Sequence, residues 1–310
     1  MNKPKNSLRK KIIKYYNKLI WIVKLCNRNP LIFLPDKIYL KRQYRKRMGL
    51  KLNLKNPQLF SEKIQWMKLY DRKPEYTHFA DKYEVRKYIA EIAGEECLIP
   101  SYGIWDYFED IDFDALPDQF VLKCTHDCGS VLICKDKKEL NIPQLQKFFR
   151  KRLAANYFWK KREWIYKNIK PRIIAEKLMV DESGIELKDY KIYCFNGKAK
   201  VINVVFNRFA NDGNDTKENF YSPDWEYLNI ASRDRQTDPN INLEKPKCLE
   251  KMLSLAEKLS VGIIHMRVDF YIVFDQIFFG ELTFCTCAGY ERFTPPEWDK
   301  ILGDWMILPK

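Results

Sequence analysis

Residues 266–284 read Met-Arg-Val-Asp-Phe-Tyr-Ile-Val-Phe-Asp-Gln-Ile-Phe-Phe-Gly-Glu-Leu-Thr-Phe, two apolar runs separated by a short turn. This pattern predicts a pair of antiparallel strands. Side chains alternate between the two faces of a strand, so Arg267 and Asp269 share one face of the first strand. Glu281 and Thr283 share one face of the second. Where the two faces coincide, two carboxylates and a hydroxyl converge between apolar neighbours.

Buried carboxylates are costly unless they are paired with cations or bind a metal. Oxygen ligands on a rigid strand pair suit Mg²⁺, which commonly uses one or two carboxylates together with substrate phosphates. The spacing therefore supports two interpretations. One is a Mg²⁺ site, and the other is a structural ion network among Arg267, Asp269 and Glu281.

Outside this stretch, helices alternate with pairs of strands. We predict helices from Ser61 onward and over 76–93, 143–155 and 249–259, and strands over 120–125, 131–134, 173–179, 188–194 and 199–206. The dipeptide Asn196-Gly197 between the last two strands is a strong hairpin signal. This order predicts an α+β fold with antiparallel sheets.

The 310 residues carry a net charge of +14, and almost all of the excess lies at the N-terminus. Residues 1–55 contain 17 Lys and Arg and one acid, Asp36. Residues 12–23 have the periodicity of an amphipathic helix with lysines on its polar side. We weigh two uses of residues 8–51: binding an anionic membrane surface, or packing on the body of the protein. Nucleic-acid binding is less favoured, because no nucleic-acid motif accompanies the charge.

The nine cysteines are scattered and odd in number, which disfavours a disulfide framework. No apolar run approaches the ~18–20 residues that a membrane span needs, and no stretch has the pattern of a signal peptide. We therefore expect a cytoplasmic protein.

Common catalytic motifs are absent, including the Walker loop and the Gly-x-Ser-x-Gly elbow. Lys123 lies in the middle of a strand, where its ammonium either meets an anion or reaches solvent. The following turn, His126-Asp-Cys-Gly-Ser, has backbone N–H groups at Gly129 and Ser130 that could bind phosphate. Together with Lys177 and Lys191, these residues indicate a nucleotide site.

With these residues in place, the chain resembles the ATP-grasp proteins, and among them the TupA-like group linked to bacterial teichuronic acid and other surface polysaccharides. The resemblance extends from about Asn56 to Pro309. It is carried by Phe60-Ser-Glu-Lys-Ile-Gln-Trp-Met-Lys-Leu-Tyr-Asp, Leu116-Pro-Asp-Gln-Phe-Val-Leu-Lys-Cys-Thr-His, Lys170-Pro-Arg-Ile-Ile-Ala-Glu, Gly280-Glu-Leu-Thr-Phe and Phe293-Thr-Pro-Pro-Glu-Trp-Asp.

The resemblance implies an ATP-grasp fold of two α+β subdomains with mainly antiparallel sheets, preceded by a basic helical arm. We expect the arm over residues 1–55, the N-terminal part with the first subdomain over 56–178, and the C-terminal subdomain with the metal site over 179–310.

The resemblance also implies ATP and Mg²⁺ as cofactors and a role for each site residue. Lys123 would meet the α-phosphate, and residues 126–130 (among them His126, Gly129 and Ser130) would form a phosphate lid. The remaining roles are an adenine hinge at Glu176, Lys177 and Leu178, a ribose contact at Asp189, Mg²⁺ ligands at Asp269, Glu281 and Thr283, and cations that stabilise developing charge at Arg267 and Lys191.

The implied activity is ligation of a carboxylate and an amine through an acyl phosphate. The expected partners are a carboxylate on a sugar or lipid-linked glycan and an amine such as an amino acid, at the inner face of the membrane. Two departures from the family pattern leave altered activity open. Thr283 stands where many ATP-grasp enzymes have Asn, and the loops after Lys123 and Glu281 contain cysteines where the TupA-like group is richer in Gly and Ser.

Three alternatives remain. A glycosyltransferase could use Asp-x-Asp at Asp110 or Asp112, although an acidic surface turn is the more favoured interpretation of both. A degenerate nucleotide-binding module would bind ATP at a membrane without turnover. A zinc site would need Cys124, His126, Cys128, Cys285 and Cys287 to converge, and their spacing supports this poorly.

Overall fold

The computed structural model describes residues 3–28, 33–184, 186–208, 215–232, 236–241 and 243–309, with side chains from residue 8 onward except 25–28. Its helices are α1 Lys3–Arg28, α2 Asp36–Met48, α3 Phe60–Tyr70, α4 Glu75–Ala80, α5 Val85–Ala93, α6 Ile142–Ala154, α7 Phe158–Lys161, α8 Leu249–Leu259 and α9 Glu297–Trp305. Its strands are β1 Ser101–Trp105, β2 Phe120–Cys124, β3 Val131–Cys134, β4 Ile173–Lys177, β5 Asp189–Phe195, β6 Lys198–Phe206, β7 Lys217–Tyr221, β8 Tyr227–Leu228, β9 Ala231–Ser232, β10 His265–Val273, β11 Gln276–Thr283 and β12 Phe293–Thr294.

The chain folds into two compact units, each built from separate segments of sequence. The first unit comprises Met1–Tyr39, Lys73–Val85 and Pro100–Leu178, and the second comprises Leu40–Arg72, Arg86–Ile99 and Met179–Lys310. Each unit contains its own antiparallel sheet together with helices, so the predicted α+β fold with antiparallel sheets is confirmed.

In the first unit, four strands lie in the order β1-β4-β2-β3, all antiparallel. Alternate residues of β2, such as Phe120 and Leu122, are fully buried, and Phe149 and Leu153 of α6 lie in the same apolar cluster. The alternation therefore leaves Lys123 on the other, half-buried face of β2.

In the second unit, six strands lie in the order β11-β10-β5-β6-β7-β8, and α8 contacts β5, β6 and β10. Two tight turns connect neighbouring strands. Asn196 and Gly197 have φ of 48° and 79°, and Phe274 and Asp275 have φ of 49° and 59°. Positive φ at both central residues matches the right-handed twist of the flanking strands. The hairpin predicted at Asn196-Gly197 is thus present.

An irregularity in β11 determines which of its side chains face β10. Near the turn the pairing is regular as far as Phe270 opposite Phe279, but Asp269 lies opposite Glu281, so Gly280 is an extra residue. A Cβ at Gly280 would lie 3.0 Å from the carbonyl oxygen of Asp269, which favours glycine there. Without this bulge, regular pairing would place Glu281 opposite Val268, on the other face of the sheet.

The helix predicted over 76–93 is wrong in one respect, because two helices occupy this range. Helix α4 ends at Ala80 and α5 begins at Val85. The carboxylate of Asp81 accepts hydrogen bonds from the backbone N–H groups of Tyr83 and Glu84. This local turn competes with helix continuation.

Helix α1 is confirmed as the helix expected in the basic arm, and it contacts α6 in the first unit. The ammonium of Lys10 pairs with Asp110, and that of Lys14 lies 5.0 Å from the centre of the Tyr107 ring. No helix among the described residues is long and apolar enough to span a membrane. Pro30, which follows α1, lies outside the described residues.

Helix α3 begins at Phe60, one residue before the predicted start, and two carboxylates bind its N-terminal region. Glu62 accepts hydrogen bonds from the backbone N–H groups of Asn53, Gln58 and Leu59. Asp299 accepts from both the backbone N–H and the hydroxyl of Ser61, at 2.8 and 2.7 Å. Because the helix begins at Phe60, Ser61 lies within its first turn and cannot cap it, and the Asp299 carboxylate accepts the N–H that a capping side chain would otherwise bind.

We expect Glu62→Ala to lower the free energy of unfolding by about 2–3 kcal/mol, because three backbone N–H groups lose their acceptor. Urea denaturation measures the change. Glu75→Ala is the control, since Glu75 is an exposed acid in the first turn of α4 and its removal should cost no more than about 0.5 kcal/mol. Equal effects of the two substitutions would contradict the role given to Glu62.

Candidate functional site

A row of charged and polar side chains crosses one face of the six-stranded sheet. Lys191 of β5 lies opposite Asp269 of β10, which lies opposite Glu281 of β11. One step further along the strands, Tyr193, Arg267 and Thr283 are paired in the same way. Asp269 and Glu281 therefore lie on the same face of the sheet, which is the arrangement that the predicted convergence of the two carboxylates needs. The bulge at Gly280 produces this arrangement.

Asp269 is the centre of this row. It is fully buried, and its two oxygens accept three hydrogen bonds from cations. Nε of Arg267 donates to Oδ1 and Nη2 donates to Oδ2, both at 2.6 Å, while Nζ of Lys191 lies 3.1 Å from Oδ2. Burial alone would raise the pKa of Asp269, but Arg267 and Lys191 outweigh it and hold that pKa below its ordinary value. Asp269 is therefore ionised at neutral pH.

Glu281 and Thr283 extend the network toward solvent. Nη2 of Arg267 lies 3.1 Å from Oε1 of Glu281 and 3.2 Å from the hydroxyl oxygen of Thr283, which itself donates to Oε1 at 2.9 Å. The Glu281 side chain is 40% exposed, and its second oxygen makes no hydrogen bond to the described residues. Of the two carboxylates, Glu281 is thus the more accessible to a ligand.

Asp189 of β5 and Arg208, which follows β6, add a further carboxylate and a further cation to this cluster. Nζ of Lys191 pairs with Oδ2 of Asp189, and Nη1 of Arg208 lies 3.4 Å from the same oxygen. Oδ1 of Asp189 is buried and has no hydrogen-bond partner among the described residues. The described cluster therefore combines three cations with three carboxylates, and its formal charges balance.

The donor set fits Mg²⁺ in one specific way. Within the described ranges, no group of three or more acidic, histidine or cysteine side chains is arranged to hold a metal. Asp269, Glu281 and Thr283 instead place two carboxylates and a hydroxyl side by side. Cations bind both oxygens of Asp269, and one oxygen of Glu281 is open. Such a set suits a Mg²⁺ whose other ligands are water and phosphate oxygens.

In the first unit, the ammonium of Lys123 meets an anion within the protein. Its Nζ lies 2.6 Å from Oε2 of Glu176, with the two side chains 15% and 6% exposed. Val121 lies opposite Glu176 in the β2–β4 pair, so Lys123 and Glu176 are diagonal neighbours on one face. Lys123 therefore pairs with an anion, Glu176, and does not extend its ammonium into solvent.

The turn over residues 126–130 is tied to the rest of the first unit by two cations. Arg152 donates to the carbonyl oxygen of Gly129 and lies 3.4 Å from the carboxylate of Asp127. The ammonium of Lys82 donates to the backbone carbonyl oxygen of Asp127. The Asp127 carboxylate also accepts from the hydroxyl of Ser130. These contacts hold Gly129 and Ser130 in a defined turn.

His126 faces inward rather than toward a ligand. It is 2% exposed, and its Nε2 lies 3.1 Å from the carbonyl oxygen of Arg152. Burial lowers the pKa of His126, so the ring is neutral at pH 7. A phosphate at this turn would therefore be bound through the backbone of residues 128–130 and not by an imidazolium.

Lys177 and Leu178 follow Glu176 at the end of β4. The backbone N–H of Lys177 donates to the carbonyl oxygen of Pro100 at 2.9 Å, its side chain is exposed, and Leu178 is half-buried. The hinge role given to these three residues stays a prediction.

Comparison with protein families decides the relationship. The model of the family described as TupA-like ATPgrasp matches residues 62–307, most of the chain. The chain belongs to the TupA-like ATP-grasp family. The predicted membership is thereby confirmed, and with it the ATP-grasp fold.

Three solved structures that are similar to this TupA-like chain have low sequence identity to it. D-alanine–D-alanine ligase from Bacillus anthracis is 18% identical, with 66% of this chain and 56% of that chain covered and a TM-score of 0.37. ATP-grasp ligase PsnB, complexed with a minimal precursor variant, Mg and ADP, is 10% identical over 80% and 65% of the chains, with a TM-score of 0.44.

D-cycloserine synthetase DcsG is 15% identical over 68% of this chain and 64% of that chain, with a TM-score of 0.38. The chain thus spans between 56% and 65% of the length of these three proteins. No curated protein sequence matches it.

The loop that follows β11 is the part of this TupA-like chain that the sequence reasoning did not connect to the site. Cys287, Ala288 and Gly289 have φ of 46°, 55° and 68°, three consecutive residues in the left-handed region. Side chains of α3 bind their carbonyl oxygens. Nε2 of Gln65 donates to both Ala288 and Gly289, and Nζ of Lys68 lies 2.5 Å from the oxygen of Ala288.

Lys68 is only 2% exposed, and the Tyr290 ring lies 4.8 Å from its ammonium. A buried lysine bound to carbonyl oxygens and an aromatic ring supplies positive charge where carbonyl groups cluster. Gln65 and Lys68 are therefore positioning residues for the loop that leaves the Glu281–Thr283 strand. The only sequence signal for them is that both polar residues interrupt an otherwise apolar helical run.

The structure also bears on two alternatives from the sequence, the Asp-x-Asp motif of a glycosyltransferase and the cysteine zinc site. The Asp112 carboxylate accepts hydrogen bonds from the backbone N–H groups of Asp114 and Ala115, and Asp110 pairs with Lys10. Both acids thus serve a surface turn or an ion pair. The cysteines proposed for zinc divide between the units, with Cys124 and Cys128 in the first and Cys285 and Cys287 in the second.

We expect Asp269→Asn to lower the free energy of unfolding by about 3–5 kcal/mol, because Arg267 and Lys191 would remain buried without their carboxylate. Glu281→Gln should cost no more than about 1 kcal/mol, since Glu281 is partly exposed. Because the pKa of Asp269 is lowered by folding, its contribution is complete above the ordinary Asp pKa and is lost as the pH falls.

Between about pH 5 and about pH 3, the free energy of unfolding of the Asp269→Asn protein should consequently fall less than that of the unsubstituted protein. Denaturant titrations across this range measure the difference. Parallel acid profiles for the two proteins would contradict the coupling of Asp269 to its cations.

Gly289→Ala and Gly49→Ala form a matched pair that isolates the contact with α3. Both glycines have positive φ, 68° and 75°, so alanine is strained at either position. A Cβ at Gly289 would lie 2.5 Å from Nε2 of Gln65 and 2.6 Å from Cγ2 of Ile64, whereas one at Gly49 meets nothing within 4 Å. We expect Gly289→Ala to be the more destabilising by about 1–3 kcal/mol in urea denaturation. Equal losses would show that the loop can move away from α3 freely.

Proposed function

We propose that this chain is an ATP- and Mg²⁺-dependent ligase that joins a carboxylate and an amine in the synthesis of a bacterial surface polysaccharide. Membership of the TupA-like ATP-grasp family supports the class of reaction. The observation that carries the proposal is the cluster of Arg267, Lys191, Asp269, Glu281 and Thr283 on one sheet face. It combines oxygen ligands for a divalent cation with cations suited to phosphate.

The proposed reaction has two steps. An oxygen of the substrate carboxylate attacks the γ-phosphorus of ATP, and the bond from that phosphorus to ADP breaks, which leaves an acyl phosphate. The amine nitrogen then attacks the carbonyl carbon, the bond from that carbon to phosphate breaks, and the nitrogen loses a proton. The products are an amide, ADP and phosphate.

In this scheme the chain's own residues position reactants and stabilise charge. Asp269 and Glu281, with the Thr283 hydroxyl, would hold Mg²⁺, which when bound neutralises phosphate charge. Arg267 stays charged, because its carboxylate partners outweigh the effect of burial and raise its pKa. Arg267 and Lys191 would stabilise the negative charge that develops during phosphoryl transfer.

The balanced charge of the cluster has a consequence for metal binding. Mg²⁺ alone would add two positive charges to a site where three cations already match three carboxylates. Mg²⁺ together with ATP brings phosphate charge that offsets the metal. We therefore propose that the metal and nucleotide bind together.

The remaining assignments concern the nucleotide. We propose Lys123, Gly129 and Ser130 as phosphate contacts, with residues 126–130 as the phosphate loop. The backbone of Glu176, Lys177 and Leu178 would contact adenine, and Asp189 would bind the ribose. Oδ1 of Asp189, which is buried and has no hydrogen-bond partner among the described residues, is an acceptor suited to a hydroxyl.

For the substrates, we propose a carboxylate on a sugar or lipid-linked glycan and an amino acid as the amine. Glycans of this kind are assembled at the cytoplasmic face of the membrane, and the basic N-terminal segment is compatible with that place. Nucleic acid is not among the proposed partners.

A thermal shift assay with Mg²⁺ alone, ATP with Mg²⁺, and UDP-sugars with Mg²⁺ tests the proposal. Binding at about 100 times the Kd adds about 2.7 kcal/mol of stability. We expect stabilisation with ATP and Mg²⁺ together, little with Mg²⁺ alone, and none with UDP-sugars. Glu281→Gln should abolish the Mg²⁺-dependent part, whereas Glu250→Gln, an exposed acid on α8, should not.

Other outcomes count against the ligase. A shift with a UDP-sugar but not with ATP would favour glycosyl transfer. Stabilisation by ATP with no ADP release in the presence of extracted glycan acceptors would favour the non-catalytic module. Full ATP-dependent activity of both Asp269→Asn and Glu281→Gln would make the proposed metal ligands wrong.

A further inference from the structure

Helix α1 presents two different faces, and the structure separates them. Its half-buried side chains, which lie toward the rest of the first unit, are Lys10, Ile13, Lys14, Asn17, Ile20 and Trp21. Its exposed apolar side chains are Leu8, Ile12, Tyr15, Tyr16, Leu19, Ile22 and Val23, each between 40% and 72% exposed. The more strongly apolar set is therefore the one that faces solvent.

The exposed set forms one continuous surface, which we call the apolar arc. At about 100° per residue, these seven side chains fall within about 120° of the helix circumference. From Leu8 to Val23 the arc is about 23 Å long. The packing of α1 on the body uses the opposite side, through Lys10 with Asp110 and Lys14 with Tyr107.

Cations border the apolar arc on both sides. Lys11 and Lys18 are exposed along one edge, and Arg9 is exposed along the other. No acidic residue occurs in the sequence before Asp36. Among the side chains of α1 itself, the arc is thus an apolar strip bordered by cations and by no acid.

We infer that the apolar arc binds a bilayer that contains anionic phospholipid, with α1 lying in the plane of the interface. Leu8, Ile12 and Leu19 would enter the acyl boundary while Lys11, Lys18 and Arg9 contact headgroup phosphates. Tyr15 and Tyr16 have apolar rings and polar hydroxyls, which suit the boundary between the two environments.

The charge distribution distinguishes this occupant from a second copy of the chain. Two arcs packed on each other would bring Arg9, Lys11 and Lys18 of both copies together with no nearby acid on α1. Such like-charge contacts are unfavourable. An anionic lipid surface supplies the opposite charge along the whole helix.

Flotation of the full chain with vesicles tests the inference. We expect binding to phosphatidylcholine vesicles that contain phosphatidylglycerol, and little binding to phosphatidylcholine alone. The double variant Ile12→Ser with Leu19→Ser should bind at least about tenfold more weakly, because both side chains leave the acyl boundary. The double variant Val261→Ser with Ile307→Ser removes two still more exposed apolar side chains elsewhere and should bind as the unsubstituted protein does.

A second pair of variants tests the charges. Lys11→Gln with Lys18→Gln should weaken binding about 25-fold, about fivefold for each cation near the surface. Lys200→Gln with Lys245→Gln makes the same change of charge at exposed positions outside α1 and should have little effect. Circular dichroism confirms that each variant is folded.

The inference would be overturned if the Ile12→Ser, Leu19→Ser protein floated with the vesicles as the unsubstituted chain does. It would also be overturned if light scattering showed a dimer that this variant dissociates, because the arc would then be a contact between copies. The inference does not depend on the ligase proposal. Glu281→Gln should leave flotation unchanged, and the variants of α1 should leave the thermal shift with ATP unchanged.

Discussion

The candidate site depends on one extra residue in a strand. The pairing of β10 with β11 is regular next to the turn, and only the bulge at Gly280 brings Glu281 opposite Asp269. Regular pairing would turn Glu281 and Thr283 to the other face, away from Arg267. The glycine is required by space, since a side chain there would press on the Asp269 backbone. The register of a hairpin thus determines whether the acids converge.

Once the bulge has set the register, electrostatics hold the cluster together. Charged groups in an apolar sheet are stable only when each has its partner, and here the carboxylate of Asp269 serves both Arg267 and Lys191. Both interpretations of the sequence pattern are therefore compatible. The ion network exists within the protein, and the same groups provide the oxygen ligands and cations that a nucleotide with a metal would need.

Sequence patterns predicted the local elements well, because strands and helices follow short-range periodicity. Helix α8 and strand β3 have the predicted bounds, and Arg267, Asp269, Glu281 and Thr283 lie on the expected strands. What the patterns could not reveal depends on distant or very local contacts. The Asp81 turn divides a predicted helix, and the binding of the Ala288 loop by Lys68 joins segments 220 residues apart. Neither contact has a periodic signal.

The division of the chain between two units has a consequence for folding during synthesis. All segments of the first unit have been made when Leu178 leaves the ribosome, but the second unit also needs residues up to α9. Ser61 binds Asp299, so the start of α3 waits for a partner 238 residues later. At ~5–20 residues per second this interval is roughly 12–48 s. During that time the buried face of α3 is exposed, which makes this helix the expected target of chaperones that bind apolar segments.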